Sequence, residues 1–330
     1  MTRRLLKELS VKFGLGATDL TRIIATAPAR YKVFTIPKRN GGVRTIAQPA
    51  REVKALQRYV LQHILVKMPV HPAAMGYVAG KNIADNAYAH VGSRVILKLD
   101  FENFFPSISV RDWEFYARFY RPKIDPSDVA IFSRILFWGM RTSTPVCLSI
   151  GAPTSPSLSN ILLFKIDTAL SHIAAKAGVI YTRYADDITA SAMQIEELSM
   201  FEQAARALVR QTRSPRLVFN DEKRGVYTMG QRRMVTGLVL TPDQNVSIGR
   251  ARKRQISAML HRLSVGKIDA EGIASLKGLL GFAIANEPDF VTRMREKYGN
   301  DTIDFALKYK IPGKDQVHRS SNNKDVDEPW

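Results

Sequence analysis

Apolar residues recur over the first 27 positions at Leu5, Leu6 and Leu9, and again at Leu20, Ile23 and Ile24. That spacing predicts helix over residues 1–27. Tyr31-Lys32-Val33-Phe34-Thr35-Ile36-Pro37 alternates with period two, and Val43-Arg44-Thr45-Ile46 follows Lys38-Arg39-Asn40-Gly41-Gly42. The two runs read as a hairpin with a basic turn. An amphipathic helix is predicted over 51–67. Val95-Ile96-Leu97-Lys98-Leu99-Asp100 is a nearly continuous apolar strand ending in a carboxylate. Helix is expected around 109–120, and again over 157–177 after Gly151-Ala152-Pro153-Thr154-Ser155-Pro156. Residues 179–192 read strand–turn–strand with Asp186 and Asp187 near the turn. A helix over about 195–213 and short strands near 216–219, 226–229 and 234–240 follow. From Arg250 onward the pattern is helical. Residues 312–330 hold almost no apolar side chains, so disorder is expected there.

Charge adds a partner to this picture. The 330 residues carry a formal net charge of +19, an excess that repels itself in a compact fold. The tail does not supply it: residues 300–330 hold five Lys/Arg against six Asp/Glu. Residues 250–299 hold ten Lys/Arg against five Asp/Glu, a net of +5. Nucleic acid is the first candidate partner and a membrane surface the second. No apolar run reaches the roughly 18 residues that span a bilayer, and no signal peptide is recognisable, so a cytoplasmic protein is expected. Cys147 is the only cysteine, which excludes an intrachain disulfide and reads as a buried small hydrophobe.

The candidate chemistry lies in carboxylates. Adjacent aspartates are common in solvated turns, but Ile180-Tyr181-Thr182-Arg183-Tyr184 and Ile188-Thr189-Ala190-Ser191 are strand material on either side of Asp186 and Asp187. A hairpin tip fixes such a pair rigidly, as a metal site requires. Asp100 ends an apolar strand, where an unpaired charge is costly. The three together suit two Mg²⁺ ions, with Mn²⁺ as a substitute, for in-line phosphoryl transfer.

These residues resemble the reverse transcriptases, and most closely the bacterial retron enzymes, over about residues 30–299. Asp100-Phe101-Glu102-Asn103-Phe104-Phe105 resembles the first catalytic motif, Gly151-Ala152-Pro153-Thr154-Ser155-Pro156 the template- and nucleotide-supporting motif, and Tyr184-Ala185-Asp186-Asp187 the catalytic box. Asn220-Asp221-Glu222-Lys223 resembles the motif that follows. Asn86-Ala87-Tyr88-Ala89-His90 and Val235-Thr236-Gly237 resemble two elements typical of retron enzymes, the second used in recognising their own RNA. The pattern departs at Ile150, where the family often carries Gln before Gly-Ala-Pro.

The resemblance implies an α+β right-hand polymerase fold with fingers, a palm of antiparallel sheet and helices, and a helical thumb. Residues 1–95 would form N-terminal helices and fingers, and 96–245 the palm with an interleaved fingers segment at about 119–150. Residues 246–311 would form the thumb, ahead of the 312–330 tail. Asp100, Asp186, Asp187 and the Phe101 carbonyl would hold the metals, with Asp186 the tighter ligand. Phe105 would exclude ribonucleotides. Lys38, Arg39, Arg44, Gly151, Ala152, Pro153 and Lys223 would contact the nucleotide. Asn86 and His90, Val235 to Gly237, and Arg250, Arg252, Lys253 and Arg254 would contact RNA.

Also implied is RNA-directed DNA synthesis from dNTPs on a cognate noncoding RNA (msr-msd). Priming from an internal guanosine 2′-OH would give branched RNA–DNA (msDNA). Host RNase H would remove the copied RNA, since no such domain is expected after the thumb. A role in anti-phage defence with an effector or toxin is implied too; Ile150-Gly151-Ala152-Pro153 and the Val-Thr-Gly context resemble retrons paired with an ATPase and an HNH nuclease. The alternatives are another reverse transcriptase of maturase or diversity-generating type, and a non-catalytic RNA-binding scaffold.

Overall fold

The carboxylate-tipped strand and the strand–turn–strand segment assemble into one sheet. The computed structural model describes residues 4–38, 41–120 and 124–310. Arg39 and the expected disordered tail lie outside the described residues.

The described chain falls into two compact units, divided between Arg233 and Met234. In the first unit, β1 (Tyr31–Pro37) and β2 (Val43–Pro49) form the basic hairpin, with Ile36 opposite Arg44. The central sheet contains β3 (Val95–Asp100), β4 (Ile180–Tyr184), β5 (Asp187–Ala192) and β6 (Gly225–Tyr227), in the order β4-β5-β3-β6. All its pairings are antiparallel. Strand β5 is buried on both faces beyond Asp187, which explains why it reads as continuously small or apolar rather than alternating. Helices Phe164–Lys176 and Ile195–Gln211 pack on this sheet. Leu97, Leu99, Ile188 and Ala190 thus join Leu170, Leu198 and Phe201 in one apolar core.

Several expected elements split. The predicted 1–27 helix is two, Arg4–Phe13 and Ala17–Thr26, with Gly14 at φ 62° between them. The predicted 157–177 helix is also two, Ser155–Leu162 and Phe164–Lys176. Residues 216–219 contribute only an isolated bridge, Phe101 to Phe219, to the end of β3. Cys147 is buried, and burial pushes its thiol up to about 11, so it stays protonated and inert.

The second unit begins with β7 (Met234–Val235), β8 (Leu238–Leu240) and β9 (Val246–Ser247), an antiparallel sheet. Helices Arg250–Ser264, Ala270–Asn286, Pro288–Tyr298 and Asn300–Lys308 follow. Ile256, Leu260, Leu276, Leu280 and Ile303 are buried among them. The short strands after 233 therefore belong with the helices, whereas the sequence grouped residues up to 245 with the central sheet.

Candidate functional site

Strand β3 brings Asp100 directly opposite Asp187, the first residue of β5. Directly opposed residues share a face of the sheet, so both side chains project together. Tyr184 pairs with Asp187, which leaves Ala185 and Asp186 as a two-residue turn. Ala185 has φ 57°, the left-handed region that non-glycine residues avoid. The end of β3 is fixed by backbone bonds: Phe101 N–H donates to the Asp186 carbonyl at 3.1 Å, and Asn220 N–H to the Asp100 carbonyl at 2.7 Å. The segment carrying Lys223 is thereby tied to the same strand end.

The electrostatics are those of crowded anions. Burial first, and then the Asp100 charge, raise the Asp186 carboxyl above its ordinary range, with Lys223 and Arg44 pulling it back. Burial also raises Asp187, opposed by Lys98 and reinforced by Asp100 and Asp186. Cations already collect here: Lys223 Nζ donates to Asp100 Oδ1 at 2.7 Å, and Lys98 Nζ lies 3.8 Å from Asp187 Oδ2. Three mutually repelling carboxylates with hard oxygen donors fit a divalent cation of the Mg²⁺ type, which would offset the repulsion. Among the described residues no group of three or more His, Cys, Asp or Glu is placed so that it could hold a metal ion as it stands. Asp100 is paired with Lys223 instead.

The turn rests on a buried clamp that sequence reasoning missed. Arg183, fully buried, grips Asp167 in bidentate fashion, Nε to Oδ1 at 2.8 Å and Nη2 to Oδ2 at 2.6 Å. Its Nη1 donates to the Ala185 carbonyl at 2.9 Å and to Asn160 Oδ1 at 3.0 Å. Burial alone would lower the Arg183 pKa, but the Asp167 carboxylate more than offsets it and the net shift is upward. Asn160 Nδ2 in turn donates to the Gly76 carbonyl at 2.8 Å. A Cβ at Gly76 would meet the Tyr184 ring at 3.1 Å and the Ala185 nitrogen at 3.2 Å, so a side chain there would press the loop against the turn. The legible signal was a charge in each of two apolar elements, Arg183 in β4 and Asp167 in its helix.

The other expected residues fall in several places. Arg44 is exposed on β2, and its charge reaches Asp186 and Tyr77. Lys38 is exposed at the hairpin end; Arg39 lies outside the described residues. Gly151 has φ 121°, and a Cβ there would lie 3.0 Å from the Ala47 carbonyl. Ala47 N–H also donates to the Ile150 carbonyl at 2.9 Å, so this loop docks on the strand that carries Arg44. Ala152 is buried and Pro153 half-buried, which leaves backbone rather than the Ala152 methyl to face a ligand. Phe105 is half-buried, its ring 5.2 Å from Phe104.

Direct RNA contact by Asn86 and His90 needs correction, because both side chains are buried. His90 is fully enclosed, with Nδ1 2.7 Å from Ser191 Oγ and Nε2 2.8 Å from Thr182 Oγ1. It braces β4 and β5 from within, and burial, aided by the Lys98 charge, lowers its pKa to about 3, so it is neutral. Asn86 is 1% exposed, and its amide has no partner among the described residues.

In the second unit Val235 is buried as well, while Thr236 and Gly237 form the β7–β8 turn at φ 47° and φ 82°. Arg252 Nη1 donates to the Gly237 carbonyl at 2.8 Å, and its guanidinium lies 4.6 Å over the Phe282 ring. Lys253 is committed to Glu287 at 2.5 Å. Arg250 and Arg254 are exposed on the same helix.

The chain is similar to known proteins over most of its length. The reverse transcriptase (RNA-dependent DNA polymerase) family model matches residues 36–257. The retron Ec83 reverse transcriptase of Escherichia coli is 37% identical over 300 residues, covering 89% of this chain and 96% of that protein. The retron Ec86 reverse transcriptase of Escherichia coli is 31% identical, covering 91% and 92%. The retron Mx65 reverse transcriptase of Myxococcus xanthus is 34% identical, covering 81% and 64%. Among solved structures, apo telomerase from Candida Tropicalis superposes with a TM-score of 0.47 at 11% identity, over 81% of this chain and 58% of that one.

Proposed function

The chain belongs to the bacterial retron reverse transcriptases, RNA-directed DNA polymerases of the right-hand fold, and from that premise we propose that it copies part of a cognate structured noncoding RNA at the Asp100, Asp186 and Asp187 site. The observation that carries the reading is the register of Asp100 against Asp187 with Asp186 in the adjoining turn. Phosphoryl transfer asks of a protein mainly positioning and charge stabilisation, and rigid carboxylates at a sheet end supply both.

The three aspartates and the Phe101 carbonyl hold two Mg²⁺ ions, or Mn²⁺ in their place. When bound, such ions stabilise charge on the attacking and leaving oxygens. Arg44, and Lys38 beside the hairpin turn, balance the nucleotide phosphates; an arginine fork suits phosphate oxygens. Lys223, already beside Asp100, provides an ammonium near the leaving group. The backbone of 151–153 lies against the incoming nucleotide. The Phe105 ring lies against the sugar and rejects a 2′-OH, so Phe105→Ala admits ribonucleotides. Unchanged ribonucleotide incorporation by that variant removes Phe105 from this role.

Priming from an internal guanosine 2′-OH, to give branched msDNA, is proposed on the strength of the named retron relatives. So are removal of copied RNA by host RNase H, a cytoplasmic setting, and a defence role with an effector such as an ATPase and HNH nuclease. Val235 to Gly237 and the exposed Arg250 and Arg254 are the proposed RNA contacts of the second unit. The test is purification with bound nucleic acid, followed by sequencing and debranching. A product shortened by debranching enzyme supports the retron reading. Unbranched or absent DNA defeats it, while extension of a primed RNA template by the same preparation reports on polymerase activity alone.

A further inference from the structure

The first unit carries a second concave surface that none of the three aspartates lines. Helix Val110–Tyr120, the start of helix Phe164–Lys176 and the segment 208–216 enclose two adjoining hollows of about 220 and about 660 Å³. Phe115, Tyr120, Lys165, Asp112 and Ser214 border both, so the hollows form one groove.

Its lining combines flat aromatic faces with unpaired cations. Phe115 and Tyr120 are 42% and 43% exposed, too much for core residues of that size. Their rings lie 6.1 Å apart, and Lys165 Nζ sits 5.2 Å over the Tyr120 ring. Arg111, Lys165, Arg213 and Arg216 line the groove, and none has a carboxylate partner among the described residues. Asp112, the one acid among the lining residues, is buried and spent on structure. Its Oδ2 accepts from Ser109 N–H at 2.7 Å and Ser109 Oγ at 2.8 Å, and its Oδ1 from Ser214 Oγ at 2.7 Å. Those bonds hold the groove's walls together and leave its surface net positive.

Four cations without a carboxylate partner among the described residues, beside exposed rings, match the recognition of single-stranded nucleic acid, in which phosphates are neutralised and bases stack on aromatic faces. A protein partner's apolar anchor would not need so many unpaired arginines. Hydroxyls favour RNA over DNA. Ser109, Ser214 and Thr212 each donate their proton within the protein, to Asp112, Asp112 and the Leu208 carbonyl. Their oxygens keep lone pairs that can accept from a ribose 2′-OH. We propose that this groove binds a single-stranded RNA segment outside the polymerase site, stacking bases on Phe115 and Tyr120 with Arg111, Lys165, Arg213 and Arg216 on the phosphates.

The test uses the full chain, saturated first with an annealed RNA–DNA primer-template so that the polymerase cleft is filled. Binding of labelled 12-nucleotide oligoadenylate is then followed by anisotropy, with the deoxy oligomer as the second arm. Combining Phe115→Ala with Arg213→Ala and Arg216→Ala should weaken oligoadenylate binding about tenfold or more. The salt dependence should flatten by about 1.4 in log–log slope, the value for two lost phosphate contacts on a single strand. Extension of the annealed primer should continue at the wild-type rate, which also reports that the variant folds. Should the triple variant fail to fold, the single pair decides: Phe115→Ala weakens binding and Phe115→Trp, which keeps a stacking face, retains it. Unchanged oligoadenylate affinity in these Ala variants overturns the proposal. Equal wild-type affinity for the deoxy oligomer, or displacement of the RNA by polyglutamate at equal charge, overturns it in favour of DNA or of an acidic protein. Polymerase activity is read separately, so failure here leaves that reading untouched.

Discussion

Two hairpins in this molecule solve the same local problem with different strength. The β4–β5 turn holds Ala185 at φ 57°, and the β7–β8 turn holds Thr236 at φ 47°. In each an arginine donates to a turn carbonyl, Arg183 to Ala185 at 2.9 Å and Arg252 to Gly237 at 2.8 Å. Arg183 is fully buried and locked in a bidentate pair with Asp167. Arg252 is half-buried, and among the described residues it meets the Phe282 ring and backbone carbonyls rather than a carboxylate. The first turn is over-determined and presents carboxylates whose positions must not drift. The second takes its arginine bond from a helix whose neighbouring Arg250 and Arg254 are exposed. A metal site needs the first kind of support; a surface that meets a structured RNA can work with the second.

The largest expected effect is chemical. Asp186→Asn removes one charge from the first turn without removing volume, and DNA synthesis should fall on the order of a thousandfold or more. The same change should stabilise the metal-free chain. Asp186 and Asp187 have raised folded-state pKa values, so the native state binds more protons than the unfolded chain. Stability is then greatest below the ordinary carboxylate range and falls as pH rises through the raised values. Asn escapes that penalty, and a rise of about 1–3 °C at neutral pH is expected by calorimetry in chelator. A fall in Tm with the activity would mean that Asp186 serves the fold and not a metal.

Next comes the clamp itself. Asp167→Ala leaves the Arg183 guanidinium buried without its carboxylate, which should cost about 3–5 kcal/mol in denaturant unfolding. Arg252→Ala loses a hydrogen bond and a cation–π contact, together about 1–2 kcal/mol. Equal losses would erase the contrast between the hairpins. If Arg252→Ala also weakens binding of the cognate RNA while sparing extension of an annealed primer, the second hairpin is tied to RNA rather than to catalysis.

How far the sequence discloses this contrast depends on what sets each feature. Strand β3 and the hairpin around Asp186 and Asp187 are legible because local apolar runs and a turn determine them. The aspartate trio is legible because strand-forming runs flank Asp186 and Asp187 and because Asp100 ends an apolar strand, where an unpaired charge is costly. The break at Leu163, and the helices at Ile83–Tyr88 and Pro126–Leu136, were not read, since packing rather than strong periodicity decides them. His90 was misread as a surface contact because a lone histidine carries no sign of its environment. Only the fold brings Ser191 and Thr182, more than ninety residues away in sequence, to its two nitrogens. The Arg183–Asp167 pair was visible as two charges in apolar elements, but nothing local says that they meet.

The smallest effect discriminates most finely between the two turns. A non-glycine residue in the left-handed region costs about 1–2 kcal/mol, and substitution by glycine relieves it. Glycine's greater freedom in the unfolded chain takes back about 0.4–1 kcal/mol. Set against each other for Thr236→Gly, these two backbone effects leave a gain of roughly 0.5–1 kcal/mol, a rise of about 1 °C in thermal unfolding of a chain this long. Ala185→Gly relieves the same strain but loses a methyl group that is 6% exposed, and burying one such carbon stabilises by about 0.8 kcal/mol. That variant should therefore melt close to the parent. A matching rise for Ala185→Gly would show that the Ala185 methyl adds nothing to the packing around Tyr184 and Gly76. The first turn would then rest on its hydrogen bonds from Arg183 and Phe101 and not on the packing of that methyl.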